Sequence, residues 1–184
     1  MKKYIIILLF TVVSILTYGC STDEKINDKS DGLDFRNTSW GMTQEEVKAT
    51  ESIPPTDEQP TVITYVSEFE GMPSVIGYLF EDGKLTRAGY VMTKSYEEPG
   101  MYVGDFNKLR DFHTTKYGKP AYDSVNWKEG AESDIKTEAY PQAACDGDAQ
   151  YMAGWLTEGS MVKLMLHGRD GKCELGVMYE SKQY

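Results

Sequence analysis

Two Asp-Gly pairs constrain the fold of this chain more than any other feature. Phe80-Glu81-Asp82-Gly83-Lys84-Leu85 and Gly168-Arg169-Asp170-Gly171-Lys172 each stand between apolar runs of strand-like composition. A two-residue type I′ hairpin turn needs positive φ at both central residues, and Asp-Gly adopts that geometry at little cost. The runs on either side of each pair are therefore expected to lie next to each other and antiparallel. Around the first turn these are Ser74–Phe80 and Leu85–Met92, preceded by Thr61–Phe69 with a break at Gly71-Met72-Pro73. Ile76, Tyr78 and Phe80 then share one face, as do Ala88, Tyr90 and Met92. Around the second turn they are Met161–His167 and Cys173–Ser181, with strands Tyr122–Lys128 and Tyr151–Thr157 upstream.

A helix precedes each meander. Thr43-Gln44-Glu45-Glu46 is a capping box, flanked by Met42 and Val47 where a hydrophobic staple would join. That helix must stop by Ile53, because Pro54-Pro55 forbids continuation. Met101–Lys116 carries Phe106, Leu109, Phe112 and Lys116/Tyr117 near one stripe, and Tyr117-Gly118-Lys119-Pro120 ends it. Glu129–Gln150 is acidic and irregular, and reads as a long loop of the kind that is functional or disordered. The expected fold class is α+β: an antiparallel sheet built from two α-β-meander repeats, about 37–95 and 101–181, with the helices packed on one face.

The N-terminus carries a different signal. Lys2 and Lys3 precede the apolar run Tyr4–Tyr18, and Gly19-Cys20 follows. A positive end, an apolar centre of about 15 residues and a small residue before a cut make a secretory signal, and the run is short for a membrane span. Leu16-Thr17-Tyr18-Gly19-Cys20 resembles the lipobox of bacterial lipoproteins. That resemblance implies cleavage after residue 19, acylation of Cys20, and attachment to the cell membrane or outer membrane. Ordinary cleavage and an uncleaved anchor helix are the competing readings. Residues 20–34 follow as a polar tether too poor in apolar side chains to order themselves, and 35–184 form the folded domain.

Charge narrows the function. The formal net charge is −10, and loss of Lys2 and Lys3 with the leader makes it −12. Such a chain is repelled by phosphate backbones, which argues against nucleic-acid binding. It also leaves the lipid as the plausible membrane contact. With Cys20 acylated, Cys145 and Cys173 remain, and a disulfide is the default for a pair in an exported protein. It would close a loop of about 28 residues and contribute roughly 3 kcal/mol. A free thiol pair and a catalytic Cys are the alternatives, the latter needing a nearby His that the local sequence does not supply.

Trp40-Gly41-Met42-Thr43 with Glu46-Val47 resembles the helix start of small periplasmic lipoproteins, among them the small lipoprotein of the outer-membrane β-barrel assembly machine. Phe80–Leu85 resembles that family's hairpin, and Tyr117–Pro120 its helix-ending turn. The doubled unit is similar to the β-lactamase inhibitor protein fold. These likenesses rest on caps and turns, so they imply fold more than function.

No nucleophile-elbow, Walker A or zinc-protease pattern occurs. His113 and His167 read as ordinary surface or boundary histidines, since neither has a second ligand at i+3 or i+4. Asp146-Gly147-Asp148 reads as a turn, and Glu45, Glu46, Glu97 and Glu98 as helix-start and loop charges. The expectation is a non-enzymatic module with no metal or cofactor, and of undetermined oligomeric state. Thirteen tyrosines and three tryptophans suggest either core packing or an aromatic recognition face, because Tyr and Trp dominate binding hot spots. In the second case Tyr65, Tyr78, Tyr90, Trp127, Tyr151 and Trp155 are the candidates for gripping a protein partner. The alternative role is a proteinaceous inhibitor of an envelope or secreted hydrolase. The anchor is open to a direct test: Cys20→Ser is expected to move the protein from the membrane fraction to the soluble fraction, and membrane association unchanged by it would refute lipidation.

Overall fold

A computed structural model describes residues 33–129, 136–169 and 172–183. The leader, Cys20 and the tether up to residue 32 lie outside the described residues, as does the Asp170-Gly171 turn. In chain order the elements are α1 (Gln44–Thr50), β1 (Asp57–Gln59), β2 (Val62–Phe69), β3 (Met72–Glu81), β4 (Lys84–Met92), α2 (Pro99–Tyr117) and β5 (Tyr122–Trp127). A 3-10 turn (Thr137–Ala139), α3 (Tyr140–Asp146), β6 (Ala149–Leu156), β7 (Ser160–Arg169) and β8 (Lys172–Ser181) complete them. The class is α+β, and the strands form one open antiparallel sheet in the order β1-β2-β3-β4-β8-β7-β6-β5. Among the described residues no helix is long and apolar enough to cross a membrane.

The local signals produce the local structure. Asp82 and Gly83 both take positive φ, 50° and 75°, and close the β3–β4 hairpin as an Asp-Gly turn should. Arg169 pairs with Lys172, so β7 and β8 are joined through Asp170 and Gly171 alone. At α1 the Glu46 backbone N–H donates to Thr43 Oγ1 at 3.4 Å, and the Thr43 N–H donates to Glu46 Oε2 at 2.7 Å. Glu51 is extended and ends the helix ahead of the prolines.

Two expectations need correction. The 129–150 segment is not loop throughout, because Tyr140–Asp146 is helical. It is only seven residues long, and its buried side chains Ala143, Ala144 and Cys145 are too small to announce a stripe. Its stop is plain: the Gly147 N–H donates to Ala144 O at 3.2 Å and the Asp148 N–H to Ala143 O at 2.9 Å. His113 is not at the surface but wholly buried, because it completes the α2 stripe Tyr102, Phe106, Leu109, His113, Tyr117.

The core lies between one face of the sheet and the helices. Ile63, Tyr65, Ile76, Tyr78, Leu85, Ala88, Leu164, Leu166, Val177 and Tyr179 meet Val47, Phe106 and Leu109 there. The N-terminal segment also enters it. The Phe35 ring packs against Tyr78, Tyr90 and Tyr179 with centroids 5.5, 5.2 and 5.0 Å away. Trp40 Nε1 donates to Ser160 Oγ at 2.9 Å, fixing this segment at the β6–β7 turn. Arg36 forks onto Glu51 at 3.1 and 3.2 Å, and the Tyr78 hydroxyl donates to the same carboxylate.

The Cys145–Cys173 disulfide joins α3 to β8, with Cα atoms 4.4 Å apart. The same junction forbids a side chain at Gly168, where a Cβ would stand 1.8 Å from the Cys145 carbonyl oxygen. Gly168→Ala must push backbone off backbone and is expected to cost about 3 kcal/mol or more. Gly104→Ala on α2 meets open space and should stabilise by about 0.5–1 kcal/mol. Urea unfolding of both variants checks the contrast, and equal midpoints would contradict the packing.

Candidate functional site

Strand alternation decides which side chains are available. Register aligns Ile63 with Tyr78, Tyr65 with Ile76, Ala88 with Tyr179, and Val162 with Tyr179. All of these point into the helix-covered side. Of the aromatic candidates, Tyr65, Tyr78, Tyr90 and Trp155 are at most 5% exposed and belong to the core. Tyr151 and Trp127 are half-buried on the same side, Tyr151 edge-on to Phe106 and Trp127 to Tyr140. Trp155 Nε1 donates to the Gly118 carbonyl at 3.1 Å. Burial pushes the Tyr78 hydroxyl pKa upward, with its hydrogen bond to Glu51 adding to the effect. These rings therefore hold helices to the sheet, and the aromatic recognition face gives way to core packing. Alternation in the sequence separates two faces; it does not say which one the helices take.

The opposite face carries no helix. Its register neighbours across the second half are Met152 with Met165 and Lys163 with Met178. Across the first half they are Val62 with Leu79, Val66 with Val75 and Gly77 with Gly89. Exposure grades across this face. Val91, Met165, Met178 and Lys163 in its middle are 2–7% exposed, whereas Val66 (61%), Leu156 (46%) and Tyr122 (36%) are open. The pattern is a trough, with an apolar floor screened by its neighbours and an accessible rim. Tyr122 forms part of that rim by lying over Gly154, where a Cβ would come within 2.3 Å of its ring. In the floor, Lys163 Nζ reaches Glu180 Oε2 at 2.6 Å. At the Arg169 end the trough meets a cavity of about 350 Å³.

The groups capable of acid–base chemistry are not brought together. His113 sits between the Leu109 carbonyl, 2.7 Å from Nδ1, and the Tyr179 hydroxyl, 2.9 Å from Nε2. Facing a carbonyl, Nδ1 carries the proton and donates, so Nε2 accepts from Tyr179. His167 lies on the trough face with Nε2 3.8 Å from Glu174 Oε2. Glu45 pairs with Lys48, while the exposed Glu46 carboxylate is held below its usual pKa by the Thr43 backbone N–H and hydroxyl. Glu97 and Glu98 are exposed before α2, and Asp146 and Asp148 flank the α3 stop. Among the described residues no three His, Cys, Asp or Glu side chains gather to hold a metal. What the open face can do is take up another surface. No protein-family model, curated protein or solved structure matches the chain.

Burial lowers the His113 pKa from 6.5 to about 4. The unfolded chain therefore takes up this proton first as pH falls. The contribution of His113 to stability is complete above pH 6.5 and is lost between 6.5 and about 4, a swing of roughly 3 kcal/mol. Denaturation at a series of pH values should show this loss in the native protein and a flatter profile over the same window in His113→Gln. Parallel profiles would contradict it.

Proposed function

We propose that this protein is a lipid-anchored bacterial envelope protein, and that its α+β domain is a non-enzymatic binding module with the open sheet face as its working surface. The observation that carries the proposal is the asymmetry of the sheet. One face is sealed by helices, while the other keeps Val66, Leu156 and Tyr122 exposed at a rim around the screened Met165 and Met178. A sheet face left without a covering helix and edged by exposed apolar side chains is a natural place for another surface to dock. Methionine also suits an adaptable surface, since its unbranched thioether chain repacks readily.

The chemistry of the partner follows from charge. Register places Asp57, Glu68, Glu81, Glu174 and Glu180 on this face together with Lys84, Arg87, Lys163, Arg169 and Lys172, so the face itself carries both signs and the bias comes from the molecule as a whole. A protein segment with apolar side chains complements the rim, and one that also bears Lys or Arg is steered toward the molecule by its net charge, −10 for the full sequence and −12 once Lys2 and Lys3 leave with the leader. The architecture favours the same reading. α1 with β1–β4 and α2 with β5–β8 are each a helix followed by a meander, and we take them as two copies of one unit joined side by side. This is the arrangement that the resemblance to periplasmic lipoproteins and to the inhibitor fold implies. A second reading is inhibition of a secreted or envelope hydrolase. It is favoured by the trough, which could receive a projecting loop of an enzyme.

The test uses the full chain in its native envelope. Val66→Asp combined with Leu156→Asp places charge on the rim without entering the core, whereas Lys119→Glu changes an exposed residue away from the face. The partner co-purified with the native protein should be retained by Lys119→Glu and depleted about tenfold or more by the double variant. Equal recovery with the double variant would sink the docking reading. The inhibitor reading fails if envelope hydrolases keep full activity at about micromolar protein, a concentration at which specific inhibitors of this interface size act.

A further inference from the structure

The cavity at the Arg169 end of the trough has a composition unlike the rest of this acidic molecule. Its volume is about 350 Å³, and Lys128, His167 and Arg169 all line it, with Asp148 the single carboxylate. Among the described residues Lys128 and Arg169 have no ion-pair partner. Together they give the cavity a cationic lining in a chain where acids outnumber bases by 29 to 19.

The sheet register explains how the wall is built. Asn126 pairs with Gln150, and Gln150 with His167, so one polar row crosses β5, β6 and β7 on the open face. The next row toward the trough is Ser124, Met152 and Met165. Gln150 Nε2 lies 3.7 Å from Met165 Sδ and Asn126 Nδ2 lies 3.1 Å from Met152 Sδ, so amides and thioethers meet at the seam. The Lys128 N–H donates to the Asp148 carbonyl at 2.8 Å, which fixes the Lys128 backbone at the mouth. His167 already faces Glu174 at 3.8 Å. Among the described residues, Lys128 and Arg169 are thus the lining cations without an ion-pair partner.

We propose that this cavity binds a small amphipathic oxyanion, a molecule with one carboxylate and an apolar body. The carboxylate sits between Lys128 and Arg169, with Asn126 and Gln150 offering amide N–H groups. The body lies along Met165 and Met152 into the trough. Pockets that combine an apolar wall with a few placed polar groups are the usual form of small-molecule sites, and a guanidinium matches carboxylate geometry. This inference does not depend on the partner-docking reading. A chain whose rim variant no longer holds its partner should still bind the ligand.

The probe is 4-phenylbutyrate, with its neutral amide and inorganic phosphate as comparisons. Equilibrium dialysis is run against the full chain in phosphatidylcholine vesicles, with empty vesicles subtracted. Saturable binding of 4-phenylbutyrate is expected, with a Kd below about 1 mM, and about tenfold or weaker binding of the amide. Arg169→Gln and Lys128→Gln alter side chains outside the core and should each weaken the carboxylate by about tenfold while leaving thermal unfolding unchanged. Met165→Gln should weaken 4-phenylbutyrate and leave any phosphate binding unaltered. Absence of saturation up to about 5 mM, equal binding of acid and amide, or indifference to Arg169→Gln and Lys128→Gln would each overturn the proposal. Phosphate binding as tight as 4-phenylbutyrate would also overturn it, by showing a simple anion site without use of the apolar wall.

Discussion

The pairing of β4 with β8 is the contact on which the rest of the structure depends. It runs from Arg87 opposite Glu180 to Val91 opposite Gly176, and it alone hydrogen-bonds the first four strands to the last four. The backbones meet so closely that a Cβ on Gly89 would stand 2.3 Å from the Val177 carbonyl oxygen. Neither half could bury its apolar face as well alone. Phe35 enters a pocket made by Tyr78 and Tyr90 from one half and Tyr179 from the other. His113 on α2 stacks near Phe69 of β2 while its Nε2 meets Tyr179 of β8. Without the β4–β8 splice there would be two edge-exposed meanders, each with unpaired backbone groups and half a core.

Much of this was legible in the sequence wherever the cause was local. The capping box of Thr43 and Glu46, the Asp82-Gly83 turn and the Pro54-Pro55 stop each act through a few bonded neighbours, and each appears where the residues predict it. The β4–β8 splice was not legible, because strands separated by two helices and three other strands leave no turn residue to announce their pairing. Nor was α3, whose buried side chains are two alanines and a cysteine and whose position is set by the disulfide and by close approach to Gly168. His113 was misjudged as a surface or boundary residue for a simple reason. Its polarity suggests water, but its place four residues after Leu109 on the α2 stripe, together with two satisfied ring nitrogens, makes burial tolerable.

The candidate surface was legible only as a choice between two faces. Period-two alternation sorts side chains into sets, and the aromatic set attracts notice because it is large. Large aromatic area is also what seals helices onto a sheet, so the most conspicuous residues went to the core. The open face is marked instead by valine, methionine and glycine, which are unremarkable in a linear sequence. They become a surface only once register sets Met152 beside Met165 and Gly77 beside Gly89.

Position along the strands separates the cavity from the point where the chain enters the fold. The chain enters the fold at Leu33, and Trp40 is pinned to Ser160 at the start of β7. The cationic cavity is lined by His167, Gly168 and Arg169 at the other end of the same strand. Ten residues of β7, at about 3.3 Å each, put roughly 30 Å between them. The trough is the path between these ends. The described chain therefore enters the fold beside the β6–β7 turn, at the far end of β7 from the cavity. A partner lying along the open face would span that distance, reaching the cavity only with its distal portion. Occupancy of the proposed ligand site would then alter one end of a proposed partner's footprint while leaving the rim at Leu156 and Tyr122 untouched, so the two proposals do not compete for the half of the face near the β6–β7 turn.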